Sequence, residues 1–341
     1  MSKPKKSLRA AADPTFLVGD VGGTNTRLAI YSAAGRSPLA EAVLASREHA
    51  TFEGAAKQFL EEASAAPPSI AVFAIAAPIV KGTATFTNLS WHLDERALAR
   101  RLGIGKVLLI NDLTASARGC LLTPPASLIP LTEARPARRG QNIAVIAAGT
   151  GLGQARLIWT GSEHTALPTE GGHRDFAPRN PLEIEVLQFL FGRYPDHVSY
   201  ERLVSGMGIG NLYDFFVAGG GDVAVPPAVA ARLAGEDRNA AITELGLARA
   251  HLPAEQAVDL FASIYGAEAG NLALGELALG GVYVTGTIAH HILPARREIF
   301  LEAFRAKGRF RELLSRIPIA VVTDPLVNRR GALAVARETL G

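Results

Sequence analysis

Residues 16–31 read FLVGDVGGTNTRLAIY. Phe16-Leu17-Val18-Gly19 is a short apolar run that suits a buried strand. Asp20-Val21-Gly22-Gly23-Thr24-Asn25 then gathers turn formers, and Thr26-Arg27-Leu28-Ala29-Ile30-Tyr31 returns as a second strand. Two such runs around a glycine-containing turn predict a β-hairpin. The pattern recurs at residues 143–159. There Ile143-Ala144-Val145-Ile146-Ala147-Ala148 meets the turn Gly149-Thr150-Gly151-Leu152-Gly153, and Gln154-Ala155-Arg156-Leu157-Ile158-Trp159 returns. Both turns carry Gly-Thr, so an internal duplication is inferred, one hairpin opening each half.

Around these hairpins, strand and helix patterns alternate. A third strand is expected at 39–46. Residues 51–64 (TFEGAAKQFLEEAS) put Phe52, Ala56, Phe59 and Leu60 on one helical face. Residues 70–76 (IAVFAIA) read as a buried strand, followed by a polar loop with Asn88 and Trp91 and a helix near 94–102. The strand 107–110 ends in Asn111-Asp112, and a helix rich in Ala and Ser follows. Such alternation predicts an α/β sheet with parallel strands after an antiparallel opening. Residues 121–140 hold four prolines and three arginines with little periodicity, and read as the crossing between halves. Helices are expected at 182–193, 209–218 and 237–249. A long one at 254–279 carries Gly266, Gly270 and Gly275, spaced for close helix packing. A strand at 281–285 then meets Gly286, and a strand (317–322) and a helix (331–339) close the chain.

The 341 residues imply two domains, or one large fold split by a cleft. Hydrophobic residues make up 48%, enough for a large core. Lys+Arg at 35 against Asp+Glu at 32 leaves a net charge of +3, too balanced for a nucleic-acid binder. The basic start (Lys3, Lys5, Lys6, Arg9) reads as a solvated terminus, so residues 1–13 are expected to be a disordered tail. Cys120 is the only cysteine, which excludes a disulfide or multi-cysteine zinc site within the chain and fits a reducing cytoplasm. No run of about 18 apolar residues suggests a membrane span, and no secretory signal is evident.

Four segments carry candidate chemistry. Glycines let backbone N–H groups approach a phosphate closely, so Asp20-x-Gly22-Gly23-Thr24 is either an anion-binding turn or an ordinary hairpin turn. Asp20, at the strand end, could hold Mg²⁺ through water. Gly149-Thr150-Gly151-x-Gly153 has the same two readings. Two such turns, facing across a cleft, would grip a polyphosphate. No Gly-x-x-x-x-Gly-Lys-Ser/Thr is present, which excludes a P-loop. Gly206-x-Gly208-x-Gly210 lacks the strand–turn–helix setting of a dinucleotide fingerprint and is set aside. Asp112 ends a buried strand, where α/β folds place chemistry. It either caps the next helix or accepts a proton from an attacking hydroxyl. Glu170-Gly171-Gly172-His173 offers a carboxylate and an imidazole to the vicinal hydroxyls of a sugar. A metal held by His173 and His164 would lack a third ligand.

In order, LVGDVGGTNTRLAIY, APIVKGTATFTNLSW, INDLTASARG, AAGTGLGQARLI, PTEGGHRDFAPR, YERLVSGMGIGNLY and GGVYVTGTIAHHILP resemble the bacterial glucokinase family from about residue 16 to 323. The resemblance implies a two-domain actin-like ATPase (ribonuclease H-like) α/β fold, with duplicated mixed sheets flanked by helices and a central cleft. The small domain is expected at 14–122 plus 322–341 and the large one at 123–321. ATP would phosphorylate the 6-hydroxyl of glucose, the first step of glycolysis. Asp112 would be the catalytic base. Asn88, Asn111, Glu170, His173 and Glu201 would join Asp112 in binding glucose. Asp20, Gly22, Gly23, Thr24, Gly149 and Thr150 would surround the ATP phosphates and Mg²⁺, with Gly286 on the adenosine side.

Two segments depart from the family pattern. Gly286 is followed by Thr287 where a second glycine is usual, with His290 and His291 beyond, and NRRGALAVA is less glycine-rich than the usual ending. The related ROK sugar kinases carry a cysteine-rich zinc motif, which one cysteine cannot supply. Competing readings are a kinase for mannose or glucosamine, a sugar-responsive regulator and a non-catalytic binding protein. A regulator would need a DNA-binding module, and fewer than 20 residues precede the first strand. A non-catalytic relative would lose Asp112 or a Gly-Thr turn. The expected partners are glucose and ATP, with no nucleic acid and no membrane, in a cytoplasmic homodimer.

Overall fold

In a computed structural model, which describes residues 13–86, 89–137, 139–219, 225–235 and 237–340, the first quoted stretch folds as an antiparallel pair. The pair is β1 (Thr15–Val21) and β2 (Asn25–Ser32), in register from Thr15↔Ser32 to Val21↔Thr26. β3 (Ala40–Ala45) adds antiparallel to β2. Helix α1 (Phe52–Glu62) starts where the Thr51 hydroxyl accepts the Gly54 N–H at 3.1 Å. It buries Phe52, Ala56 and Phe59, and Phe52 meets Phe73 edge-on at 4.8 Å between centroids. β4 (Ile70–Ile75), buried throughout, lies parallel to β1. Three short strands follow, β5 (Ile79–Val80), β6 (Thr83–Thr85) and β7 (His92–Asp94), then α2 (Glu95–Leu102), β8 (Lys106–Asn111) and α3 (Asp112–Leu122). Asp94 caps α2 through the Ala97 N–H, and left-handed Gly103 ends it. β8 runs parallel to β4, giving the order β3-β2-β1-β4-β8.

Where a polar loop was expected around Trp91, β5, β6 and β7 pair into a small separate sheet. Strands this short show no readable alternation. Trp91 is buried against Phe52 and Phe86, and its indole N–H donates to the His49 carbonyl at 3.0 Å. The C-terminal helix Val327–Leu340 packs Ala332, Leu333 and Ala336 with Phe16, Val18 and Val72. These elements form one unit, Met1–Gly119 with Leu326–Gly341. The first twelve residues of the expected tail lie outside the described residues.

The second unit, Cys120–Pro325, repeats the pattern. β9 (Leu128–Pro130) precedes the second hairpin, β10 (Ile143–Ala148) and β11 (Leu152–Trp159), with β12 (His164–Thr169) antiparallel to β11. Five helices then intervene: α4 (Pro181–Phe191), α5 (Gly206–Gly219), α6 (Pro227–Leu233), α7 (Arg238–Leu247) and α8 (Leu252–Gly275). β13 (Gly281–Thr285), α9 (Thr287–Ile292), α10 (Arg297–Arg305), α11 (Arg311–Ser315) and β14 (Ile319–Val322) complete it. β13 lies parallel to β10 and β14 parallel to β13, so the sheet order is β12-β11-β10-β13-β14-β9. The first five strands match the first sheet one for one, as a duplication requires. The expected crossing contributes β9, an edge strand that ends in a proline.

The long helix α8 runs through the second core, burying Phe261, Ile264 and Tyr265. A Cβ at Gly266 or Gly270 would collide with the Phe300 or Phe304 carbonyl of α10, so these glycines serve close packing. Gly275 meets nothing within 4 Å and does not. Among the described residues no helix is long and apolar enough to cross a membrane.

Candidate active site

In the first unit β1, β4 and β8 run parallel, and Val21, Ile75 and Asn111 stand in register at their ends. One sheet edge therefore presents both the Asp20–Thr24 turn and the Asn111-Asp112 pair. Asn111 performs the capping that the sequence left open for Asp112. Its Oδ1 accepts the N–H groups of Leu113 at 2.9 Å and Thr114 at 3.2 Å. Asp112 Oδ1 also accepts the Leu113 N–H, at 2.9 Å, which fixes the carboxylate at the start of α3. In the turn, Gly22 N–H donates to the Asn25 carbonyl, and the Gly22 and Thr24 carbonyls accept from Ser46 Oγ and N–H.

Asp20 is mostly buried, at 23% side-chain exposure. Asn328 Nδ2 donates to its Oδ1 at 3.2 Å, and Arg27 Nη1 lies 3.7 Å from its Oδ2. Among the described residues no three His, Cys, Asp or Glu side chains gather as a cation cage. Mg²⁺ characteristically takes one or two carboxylates and completes its shell with water and phosphate oxygens. A lone carboxylate beside a phosphate-type turn fits that mode.

In the second unit the Gly149-Thr150 turn lines a cleft of about 870 Å³. Gly210 on α5, Asn239 on α7, and Ile288 and His291 on α9 line it too. The Gly206 N–H donates to the Gly149 carbonyl at 2.8 Å, fastening the start of α5 to the turn. The Gly206-x-Gly208-x-Gly210 series is thus no dinucleotide fingerprint. It lets α5 lie against the turn, with Gly208 on the Leu203 backbone and Gly210 on the cleft wall. Sequence reading missed α5 and α7 as cleft walls. Gly286 directly precedes Thr287, which lines the cleft, and is not itself among the lining residues. At φ +94° its Cβ would collide with the Ala148 carbonyl, so only glycine turns β13 into α9 here. Thr287, in place of a second glycine, opens α9 on the cleft wall. The His290 and His291 rings lie 4.1 Å apart between centroids, tilted at 46°, and burial, with the neighbouring ring, holds the His290 pKa below the usual imidazole value.

The proposed sugar residues converge on the same hairpin. Glu201 Oε2 accepts the Leu152 N–H at 2.9 Å, immediately after the Gly149–Gly151 turn. Glu201 Oε1 lies 4.0 Å from His173 Nδ1. The 3₁₀ turn Gly171–His173 lies directly on β11, since a Cβ at Gly172 would strike the Leu152 carbonyl. With its glycines buried, this turn leaves Glu170 and His173 exposed on either side. His164 is not part of the group. It is buried, bonded to the Gln141 carbonyl at 2.9 Å and packed on Trp159. Asn88 lies outside the described residues. Asp20, Gly22, Gly23, Thr24, Asn111 and Asp112 thus share one edge of the first unit. Gly149, Thr150, Glu170, His173 and Glu201 cluster in the second.

The family model "Glucokinase" matches residues 17–339. The glucokinase of Nostoc punctiforme is 41% identical over 336 residues, covering 94% of this chain and 98% of its own. Among solved structures, a glucokinase from an Antarctic psychrotroph superposes with a TM-score of 0.82 at 28% identity, covering 95% of this chain and 99% of its own. The glucokinase of Balamuthia mandrillaris, solved in complex with glucose, shares the fold with a TM-score of 0.80 at 22% identity, covering 95% and 94%. The repeated mixed sheets are those of the actin-like sugar kinases. The chain belongs to the glucokinase family.

Proposed function

We propose that this chain transfers the γ-phosphoryl group of ATP to the 6-hydroxyl of glucose, giving glucose 6-phosphate and ADP. One observation carries the reading. The turn that lines the second-unit cleft and the carboxylate of Glu201 meet at consecutive residues of one hairpin, Gly149–Gly151 and Leu152. A phosphoryl donor at the turn and a polyol acceptor at Glu201 would meet there. Family membership supports the same reaction.

Phosphoryl transfer depends on positioning and charge stabilisation more than on covalent chemistry. The nucleoside occupies the cleft beside Asn239, Ile288 and His291. Its phosphates lie against the Gly149-Thr150 turn, where Thr150 offers the donors while the Gly149 N–H holds the Gly151 carbonyl. Gly23 and Thr24 offer further donors beside a Gly22 N–H that holds the Asn25 carbonyl. Glu170, His173 and Glu201 bind ring hydroxyls, joined by Asn88 and by the Asn111 side-chain amide. Asp112, oriented by the Leu113 N–H, accepts the proton of the 6-hydroxyl as that oxygen attacks phosphorus. Mg²⁺ bound with ATP supplies neutralisation of phosphate charge, and Asp20 is the carboxylate that would hold it through water. The family resemblance supports an entry role in glycolysis, a cytoplasmic location and a homodimer.

The purified chain, given ATP, Mg²⁺ and a panel of hexoses, should form ADP and sugar 6-phosphate in equal amounts, fastest with glucose. Absence of turnover with glucose, or preference for mannose or glucosamine, overturns the assignment. Light scattering during size exclusion tests the homodimer.

A further inference from the structure

Helix α8 carries a carboxylate where its neighbours are small and apolar. Glu268 is 1% exposed, between Ala267 and Ala269. A buried charge persists only when paired and fully hydrogen-bonded, and this one is. Its Oε1 accepts from Gln154 Nε2 and from Arg174 Nη2, both at 2.7 Å, and its Oε2 accepts from Asn271 Nδ2 at 3.0 Å. Each partner leads to a segment that bears a proposed sugar residue. Arg174 Nε donates to the Gly171 carbonyl at 3.1 Å, inside the turn that presents Glu170 and His173. Asn271 Nδ2 also donates to the Tyr200 hydroxyl at 3.1 Å, one residue before Glu201. Gln154 lies two residues along β11 from Leu152, whose N–H holds Glu201. Lys307 Nζ closes the far side on Asn271 Oδ1 at 2.5 Å.

We propose that Glu268 is a positioning residue for hexose binding: from inside α8, through Arg174 and Asn271, it sets the spacing of Glu170 and His173 against Glu201. The proposal rests on the reading of those three residues as the sugar's partners. Glu268 itself touches no substrate. Its carboxylate ties three chain segments, from β11, the 171–173 turn and the Tyr200 turn, at one point. Loosening it lets the sugar contacts drift while the cleft lined by Asn239 and Ile288 keeps its shape.

The test uses the whole chain with two substitutions. Glu268→Gln removes the charge and keeps the volume. Arg174→Met breaks the same connection at its half-exposed end, 52% accessible, where loss of folding is less of a risk. Both should raise the KM for glucose about 10-fold or more, the scale of supporting-residue effects, with KM for ATP and kcat within about twofold. A purely structural role would lower the melting temperature without separating the two KM values. An unchanged glucose KM in folded Arg174→Met, or ATP and glucose KM rising together, overturns the proposal, and Arg174→Met decides alone should Glu268→Gln not fold. Glu201→Gln is the reference. If it too leaves the glucose KM unchanged, the sugar-site reading has failed; if only it raises that KM, the positioning role has.

Discussion

The turn between β1 and β2 and the turn between β10 and β11 occupy equivalent places in two sheets of the same strand order. Their surroundings differ. The first is tied by Ser46, from the short 3₁₀ turn that follows β3, and its sheet edge carries two aspartates, Asp20 and Asp112. The second is tied by Gly206, the start of α5, from the long helical stretch between β12 and β13. That stretch supplies cleft walls on α5 and α7, and carries Glu201 between α4 and α5. The repeated sheet is a scaffold. The two copies differ in what is inserted after the third strand: the single α-helix α1 in the first, and the five helices α4 to α8 in the second.

This division can be broken experimentally, most severely at Asp112. Asp112→Ala should lower kcat by about 10²–10⁴-fold, the usual contribution of a general base, with nucleotide and glucose affinities of the second unit retained in calorimetry. Near-normal turnover would remove the first unit's claim to the chemistry. Next come the close-packed glycines. Gly286→Ala adds a Cβ against the Ala148 carbonyl at a left-handed φ, and should cost about 3 kcal/mol in urea unfolding. Gly149→Ala, with nothing within 4 Å, should cost less than about 0.5 kcal/mol. Equal costs would mean that the corner at Gly286 is not the constrained point.

A smaller effect is expected where the C-terminal helix supports the first turn. Asn328→Ala removes a hydrogen bond to the Asp20 carboxylate. The KM for MgATP should rise severalfold, about 1 kcal/mol, with the glucose KM unchanged. The smallest effect is electrostatic and belongs to the second unit. The His290 pKa is lowered in the folded chain, so the unfolded chain takes up its proton first. The associated stability is present above the ordinary value of 6.5 and is lost as pH falls from there through the lower folded value. His290→Gln should therefore flatten the decline in melting temperature below pH 6.5, which thermal melts across pH would register.

Much of this was legible in the chain before folding. The apolar runs, glycine turns and helical faces located the two hairpins, α1, β4, β8 and α8 closely, because each is a pattern among residues a few positions apart. The small β5-β6-β7 sheet was not legible, since its strands are shorter than one readable alternation. Its one hint was Trp91, a large aromatic in an otherwise polar stretch. The cleft walls are not legible in the sequence, because the α5 glycines share the spacing of a dinucleotide motif and act as points of close approach only once packed. Glu268 has a local signal in the sequence: a carboxylate set within the run Gly266-Ala267-Glu268-Ala269-Gly270 of a helix that buries all five residues.

By itself the sequence determined the α/β alternation, the duplicated Gly-Thr turns, the carboxylate at a strand end and the family to which these belong. All of these follow from local spacing or from ordered motifs. The tertiary structure alone decided that Asn111 performs the capping while Asp112 shares one amide. It also decided that Glu201 reaches the Leu152 N–H and that Glu268 ties Arg174 to Asn271. The capping contacts span only one to three residues, but two neighbouring side chains compete for one amide and only the folded geometry assigns it. The Glu201–Leu152 and Arg174–Glu268 contacts join residues 49 and 94 positions apart, and the packing that brings them together is encoded by no local period.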